Sequence, residues 1–164
     1  MNNLSLDARM KTYYEASTEQ HLPWRLPVII RLDGKSFHTW TRSMQLDPFS
    51  VGFNEAMVTA GKAVMQRYQG AILAYQQSDE ISIWLHNYKR FNSQAMFGNR
   101  IQKLVSVAAS IATAHFNEQV RQWPRLPTVR PLAYFDARVF VLPEAEVANY
   151  FISRQLDCIR NSIN

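Results

Sequence analysis

A predicted β-hairpin at residues 71–86 constrains the fold more than any other feature of the sequence. Two strand-like runs, AILAYQ and EISIWLH, are separated only by the polar residues QSD. So short a connection is typical of a hairpin of antiparallel strands. The fold is therefore expected to contain an antiparallel sheet, with the acidic pair Asp79 and Glu80 at one of its turns.

The remaining elements alternate around this hairpin. The run PVIIRLDG predicts a strand that ends at Asp33, and LAYFDARVFVL predicts another strand. Apolar residues at helical spacing predict a helix from an N-cap at Asn54 to near Gly70, a long helix over IQKLVSVAASIATAHFNEQV, and a last helix after Pro143. The order β, α, ββ, α, β, α predicts one α+β domain, an antiparallel-rich sheet with helices on one face.

The composition excludes several classes of protein. With 164 residues, 47% of them hydrophobic, the chain is long enough to bury one globular core. The single cysteine, Cys158, excludes an intramolecular disulfide, and the cytoplasm is the simplest expected location. No signal pattern or membrane-length apolar stretch occurs, so no membrane partner is expected. The formal charge of +5 is compatible with a polyanionic partner but does not establish one.

Three carboxylates are expected to converge where the strands end. Asp33 closes one strand, and Asp79 with Glu80 occupies the hairpin turn that would lie beside it. Like charges about 4 Å apart near a protein surface repel by roughly 4 kcal/mol, so the arrangement needs a compensating cation or diverging side chains. Such a cluster suits Mg²⁺, which keeps most of its coordination for water and phosphates. Two such ions would serve a phosphoryl or nucleotidyl transfer.

Phosphate-binding residues are expected beside this cluster. The segment DGKSFH places a glycine turn after Asp33, where backbone N–H groups and Lys35 would approach a triphosphate. Arg100 and Lys103, three residues apart near the start of the long helix, would meet the same phosphates. The alternative interpretation is ordinary turn chemistry at DG and SD, without a ligand.

Six blocks of sequence favour the first interpretation. In chain order they are LDARMKTYYE, RLDGKSFHTWTR, AYQQSDEISI, KLVSVAASIATAHF, FDARVFVLP and NYFISRQLDCIRNSI. In this order and spacing they resemble the tRNA(His) guanylyltransferase family over nearly the whole chain. The resemblance implies a palm-like catalytic fold, similar to that of polymerases and nucleotidyl cyclases. It also implies a Mg²⁺-dependent nucleotidyltransferase that adds nucleotides to tRNA 5′ ends in the 3′-to-5′ direction.

The resemblance implies a role for each matching residue. Two Mg²⁺ ions would be held by Asp33, Asp79 and the backbone carbonyl of Gly34, and the catalytic set would be Asp33, Asp79 and Glu80. Strand alternation alone would choose Glu80 for the polar face, but a turn residue need not follow it, so Glu80 is expected to support the site. The substrates GTP and ATP would bind Asp33, Gly34, Lys35, Ser36, Phe37, His38, Ser78, Asp79, Arg100 and Lys103. A homo-oligomer, commonly a tetramer in this family, is expected as well.

The last block departs from the eukaryotic pattern. It reads DCIRNS instead of approximately DCHINN, and this version resembles the bacterial and phage branch, which is implicated in template-directed repair of tRNA 5′ ends. Residues 1–164 are expected to form a single palm-like nucleotidyltransferase domain, either truncated before the family's C-terminal extension or a compact variant. Arg154, Asp157 and Asn161 share a helix face that would line the site or the RNA path, or would simply be solvated.

Two other functions stay open at this point. One is another palm-type enzyme, such as a nucleotidyl cyclase or a fragment of a forward polymerase, which would share Asp33 and Asp79. The other is a non-catalytic module that binds nucleotide or RNA. Asp136 and Arg138, two residues apart on a strand, share a face and would form either a mutual salt bridge or a brace for the site.

Overall fold

A four-stranded antiparallel sheet lies at the centre of the computed structural model, which describes residues 4–47, 50–124 and 131–163. The strand order is β2-β3-β1-β4, and every neighbouring pair is antiparallel. The strands are β1 (Val28–Gly34), β2 (Ala71–Gln77), β3 (Glu80–Leu85) and β4 (Phe135–Val141). The predicted hairpin is thus formed by β2 and β3, and the predicted antiparallel sheet is confirmed.

Within the described residues, five α-helices are connected to these strands. They are α1 (Leu6–Met10), α2 (Phe37–Ser43), α3 (Val51–Arg67), α4 (Ile101–Arg121) and α5 (Val147–Ile163). Strands β1 to β4 with α3 and α4 form a β-α-β-β-α-β unit of the ferredoxin-like kind. The sequence did not predict the short helix α2. It also placed the N-cap of α3 wrongly at Asn54, because Ser50 Oγ accepts the first-turn hydrogen bond from the Phe53 N–H, at 3.4 Å.

The core lies between the sheet and the two long helices α3 and α4. Alternation along β1 turns Val28, Ile30 and Leu32 toward these helices, where all three are buried. Small residues allow a close approach: a Cβ on Gly61 of α3 would lie 3.4 Å from a methyl group of Ile81 on β3. The predicted helical layer on one face of the sheet is therefore present in α3 and α4.

The last helix, α5, adds a layer on the opposite face of the sheet. The Tyr150 hydroxyl on α5 and the Ser82 hydroxyl on β3 form a hydrogen bond of 2.8 Å, and the Tyr150 ring contacts Phe140 of β4, 5.5 Å between ring centroids. Ser82 is fully buried, so its hydroxyl needs such a partner. The helices thus occupy both faces and not one face as predicted, and α5 lies beside the strand ends that carry the acidic residues. No helix in the described ranges is long and apolar enough to cross a membrane.

Candidate active site

Asp33 and Asp79 lie side by side at one end of the sheet. Asp33 is the last residue but one of β1, and Asp79 belongs to the turn between β2 and β3. The backbone N–H of Gly34 donates to the Asp79 carbonyl at 3.0 Å, which fixes the turn to the end of β1. Ser78 adopts a left-handed conformation, with φ of 47°, and so reverses the chain tightly before Asp79. The convergence expected for these two carboxylates is therefore present.

Strand register adds further carboxylates to this end of the sheet. Asp33 is directly opposite Glu80 of β3 on one side and Asp136 of β4 on the other. Burial and the negative charges of Asp79 and Asp136 raise the pKa of Asp33 above its usual value. Arg138, 4.0 Å from the Asp33 carboxylate, opposes this rise, as does Arg31. The ion pair of Arg138 is thus with Asp33, as expected of a brace for the site.

The acidic cluster has the donor chemistry that a hard cation requires. In the described part of the chain, no three metal-ligating side chains are grouped closely enough to form a centre from protein atoms alone. Mg²⁺ does not need such a group, because it binds one or two carboxylates and completes its shell with water and phosphate oxygens. Burial raises the pKa of Asp33, the negative charges of Asp79 and Asp136 raise it further, and a bound cation would offset those two charges. Asp33 and Asp79 therefore fit such an ion.

Glu80 is held by arginines. Arg154 Nε on α5 donates to Glu80 Oε1 at 2.9 Å, and Arg31 Nε lies 3.9 Å from the other carboxylate oxygen. Arg154 also donates to Asp157 Oδ2 at 2.6 Å, and Arg160 donates to the other Asp157 oxygen at 2.7 Å. This row of alternating positive and negative side chains connects β1, β3 and α5. Glu80 thus links α5 to the sheet beside the carboxylate pair.

A cavity of about 780 Å³ opens between the strand ends, α3 and α5. Its volume lies within the range of pockets that hold drug-sized ligands. The helix face predicted from the sequence forms one wall, opposite the acidic residues. Lining residues include Asp33, Asn54, Gln77, Asp79, Glu80, Arg154, Asp157, Cys158 and Asn161.

An adjoining cavity of about 560 Å³ lies on the α2 side of the turn. Both cavities share Ser50, Phe53, Ser78 and Asp79 in their linings. His38 of α2 lines the second cavity, and its Nε2 lies 3.3 Å from a guanidinium nitrogen of Arg42. The two spaces meet at Asp79, so one elongated ligand would reach both.

The segment after Asp33 forms an exposed turn, so that a ligand could approach its backbone. Lys35, Ser36 and His38 are exposed, and Ser36 has a left-handed φ of 56°. The backbone N–H of Lys35 donates to the Tyr134 carbonyl at 2.8 Å. Phe37 differs from its neighbours, because its ring is buried among core aromatics and packs over Gly34. Phe37 thus positions the turn from the core and also lines the smaller of the two cavities.

Comparison with protein families identifies the relationship. The family model described as "Thg1: tRNAHis guanylyltransferase" matches residues 7–143. This chain belongs to the tRNAHis guanylyltransferase family.

Curated members of the tRNAHis guanylyltransferase family are longer than this chain. A probable tRNA(His) guanylyltransferase of Drosophila melanogaster is 33% identical over 141 residues, which is 83% of this chain and 46% of the relative. The tRNA(His) guanylyltransferase of Schizosaccharomyces pombe is 32% identical over 142 residues, 83% of this chain and 51% of the relative. The chain therefore spans about half the length of the curated relatives it matches.

Solved structures of the tRNAHis guanylyltransferase family share the fold. A bacterial Thg1-like protein in complex with GTP matches with a TM-score of 0.90 and 48% identity, over 98% of this chain and 74% of that protein. A bacterial Thg1-like protein in complex with ATP matches with a TM-score of 0.89 and 48% identity, over 98% of this chain and 68% of that protein. The Saccharomyces cerevisiae tRNA(His) guanylyltransferase matches with a TM-score of 0.74 and 26% identity, over 90% of this chain and 65% of that protein. The expected family and α+β fold are confirmed.

Two residues that the family resemblance places at the nucleotide lie elsewhere in the structure. Arg100 and Lys103 line a separate cavity of about 360 Å³, where Arg100 pairs with Glu19 at 3.1 Å. Helix α4 follows β3, and β3 runs away from the acidic turn, so α4 begins at the opposite end of the sheet. The expectation that Arg100 and Lys103 meet the phosphates beside Asp33 is therefore not met within one chain.

Proposed function

We propose that this chain is a nucleotidyltransferase domain that adds nucleotides to tRNA 5′ ends in the 3′-to-5′ direction, as a template-directed repair activity. The observation that carries the proposal is the pair Asp33 and Asp79, joined through Gly34 N–H and the Asp79 carbonyl at the mouth of a cavity of about 780 Å³. Solved relatives that are 48% identical are complexes with GTP and with ATP. Family membership supports tRNA as the acceptor.

The proposed chemistry has two balanced steps. An oxygen of the tRNA 5′-monophosphate attacks the α-phosphorus of ATP or GTP, and pyrophosphate leaves. The 3′-hydroxyl of the incoming nucleotide then attacks the activated 5′-phosphorus, and the nucleoside monophosphate leaves. Neither step requires a covalent enzyme intermediate, so the side chains act by positioning and by electrostatic stabilisation.

Each proposed role belongs to a named part of the site. Asp33, Asp79 and the Gly34 carbonyl would hold Mg²⁺. When bound, Mg²⁺ would polarise phosphate oxygens and lower the pKa of the attacking hydroxyl. The exposed Lys35 side chain and the N–H groups that follow Lys35 in the turn would bind the triphosphate. Arg154 would keep Glu80 turned away from the phosphates and would maintain the α5 wall against which the RNA end lies.

The test is incorporation of α-labelled GTP and CTP into a tRNA that lacks its 5′ nucleotide, in Mg²⁺. We expect template-matched label at the 5′ end, and a loss of at least about 100-fold in Asp33→Asn and Asp79→Asn. The matched control is Asp7→Asn, an exposed carboxylate on α1, which should retain activity. Label in a cyclic mononucleotide instead would favour a cyclase. Nucleotide binding that survives Asp79→Ala, without turnover, would favour a binding module.

We also propose that the protein acts as a homo-oligomer in the cytoplasm, as the family resemblance implies. Light scattering of the purified chain would give its mass in solution. A monomeric mass under the conditions of full activity would contradict the oligomer.

A further inference from the structure

A group of exposed aromatic and basic side chains lies at the end of the sheet opposite the carboxylates. We call it the aromatic–basic platform and define it as Trp24, Arg25, Lys89, Arg90 and Phe91, all of them exposed. Phe91 is 89% exposed and Trp24 is 56% exposed. A single exposed ring is common on protein surfaces, but two rings beside three cations are a combination that can bind a polyanion with stacking bases.

Arg25 holds the platform in one arrangement. Its guanidinium donates to the Phe91 carbonyl at 2.5 Å and lies 4.7 Å from the centre of the Phe91 ring. These contacts join segments that are distant in sequence. The backbone of Arg25 is left-handed, with φ of 62°, a conformation that costs free energy in a residue with a side chain. These contacts hold Phe91 beside Arg25 without a partner, and an arrangement that exists before binding lowers the entropic cost of binding.

A buried asparagine fixes the platform to the core. Asn99 is only 2% exposed. Its side-chain amide nitrogen donates to the Pro23 carbonyl at 3.1 Å, and its backbone carbonyl accepts from the Leu22 N–H at 3.0 Å. The residues just before Trp24 are therefore anchored rather than part of a free loop.

The charge of this region has one sign along the sequence. No Asp or Glu occurs between positions 81 and 117, or between positions 20 and 32. Both segments of the platform lie inside these stretches. Basic groups beside exposed rings are the combination that binds RNA, because cations attract phosphates and rings stack on bases regardless of sequence. If two copies of this chain met through this same surface, the basic groups of the two copies would repel each other.

The platform is separated from the carboxylates by the length of a strand. β1 runs from Val28, near the platform, to Asp33, at the acidic turn. At about 3.3 Å per residue this is a separation of roughly 17 to 20 Å. Stacked nucleotides rise about 3.4 Å each, so the distance corresponds to roughly five or six nucleotides.

We propose that the aromatic–basic platform binds the substrate RNA several nucleotides away from the 5′ end that reacts. This inference rests on the proposed function for the identity of the partner. The platform would be a second contact with the RNA. It would determine the affinity, while the reacting 5′ end would lie at the acidic site. The RNA backbone would lie against Lys89 and Arg90, and a base or ribose would stack on Phe91.

The experiment measures binding of a tRNA that lacks its 5′ nucleotide and carries a fluorophore at its 3′ end, by anisotropy over a range of salt concentrations. The variants are Lys89→Ala/Arg90→Ala and Phe91→Ala, and the matched control is Lys62→Ala, an exposed cation on α3. Binding requires no turnover, so a failure of the proposed nucleotide addition does not affect this measurement. GTP affinity in Mg²⁺ reports separately on the acidic site and should stay within about twofold.

We expect the double variant to bind tRNA about tenfold or more weakly, and its slope of log K against log salt to fall by about 1.4, or 0.7 for each lost phosphate contact. Phe91→Ala should weaken binding by about fivefold or more with the slope unchanged. Equal tRNA affinity in both variants and in Lys62→Ala would overturn the proposal. A fall in oligomeric mass together with the loss of affinity would also overturn it, because the surface would then be a contact between copies.

Discussion

Removal of the Arg154 charge tests whether the ion pair between Arg154 on α5 and Glu80 on β3 stabilises the fold. The substitution Arg154→Met keeps most of the apolar stem and deletes the bonds to Glu80 at 2.9 Å and to Asp157 at 2.6 Å. The side chains of Arg154 and Glu80 are only 18% and 13% exposed. Loss of one partner from a buried pair costs about 3 to 5 kcal/mol. Because Arg31 stays 3.9 Å from Glu80 and keeps part of its charge compensated, we expect a cost below this range, about 2 to 3 kcal/mol.

The assay is a double-mutant cycle in urea or heat. For a chain of this size each kcal/mol lowers Tm by about 2 to 4 °C, so Arg154→Met should lower Tm by about 4 to 12 °C. Glu80→Gln and the double variant complete the cycle, with an expected coupling of at least about 1 kcal/mol. The matched control is Arg160→Met. Arg160 bonds the same Asp157 but is 74% exposed, so its loss should cost no more than about 0.5 kcal/mol.

Two results would refute this reasoning. One is an Arg154→Met variant as stable as Arg160→Met. The other is a double variant whose destabilisation equals the sum of the single effects, since Arg154 and Glu80 would then contribute independently. Either outcome would mean that α5 is held to the sheet by its aromatic contacts and not by the charges.

Two further predictions concern the turn at the end of β1. Gly34→Ala would place a Cβ 2.6 Å from ring carbon Cδ2 of Phe37; we expect overpacking to cost about 1 to 3 kcal/mol, and an unchanged Tm would show that the ring moves freely. Asp33→Asn should raise Tm at neutral pH without Mg²⁺ or nucleotide, because the pKa of Asp33 is raised in the folded protein and its ionisation therefore destabilises the fold. The gain should disappear as pH falls below the pKa of the carboxyl group in the unfolded chain, whereas a gain that persists in acid, or one equalled by Asp7→Asn, would contradict the electrostatic cause.

The sequence predicted the long elements well because their patterns are strong. The β-branched run in PVIIRLDG and the alternating isoleucines in EISIWLH strongly favour strands, and the short QSD connection determines how β2 and β3 pair. Helix α2 was missed because its seven residues follow a turn directly and carry no long apolar period. The side of the sheet that α5 covers could not be predicted, since an amphipathic helix packs equally well on either face by its pattern alone.

Asp33 and Asp79 could each be placed at a strand end from the sequence, and their convergence depended on β1 lying beside the hairpin, which the β1–β3 pairing confirms. Asp136 stands opposite Asp33 only because β4 pairs with β1 in one register, and a single sequence does not specify a register between strands so far apart. Arg100 and Lys103 were placed correctly near the start of the long helix, where Arg100 is the N-cap of α4, but helical spacing says nothing about which end of the sheet that helix begins from.

The attachment of α5 has a consequence for motion. One wall of the cavity is a sheet with its core on the other side, while the opposite wall is a helix held by the Tyr150 hydrogen bond, ring contacts and the Arg154 ion pairs. Amide hydrogens of α5 should therefore exchange with solvent through a local opening that leaves β1 and β3 protected. Such an opening would widen the cavity by displacing this single helix, with Asp33 still held on β1 and Asp79 in the turn between β2 and β3.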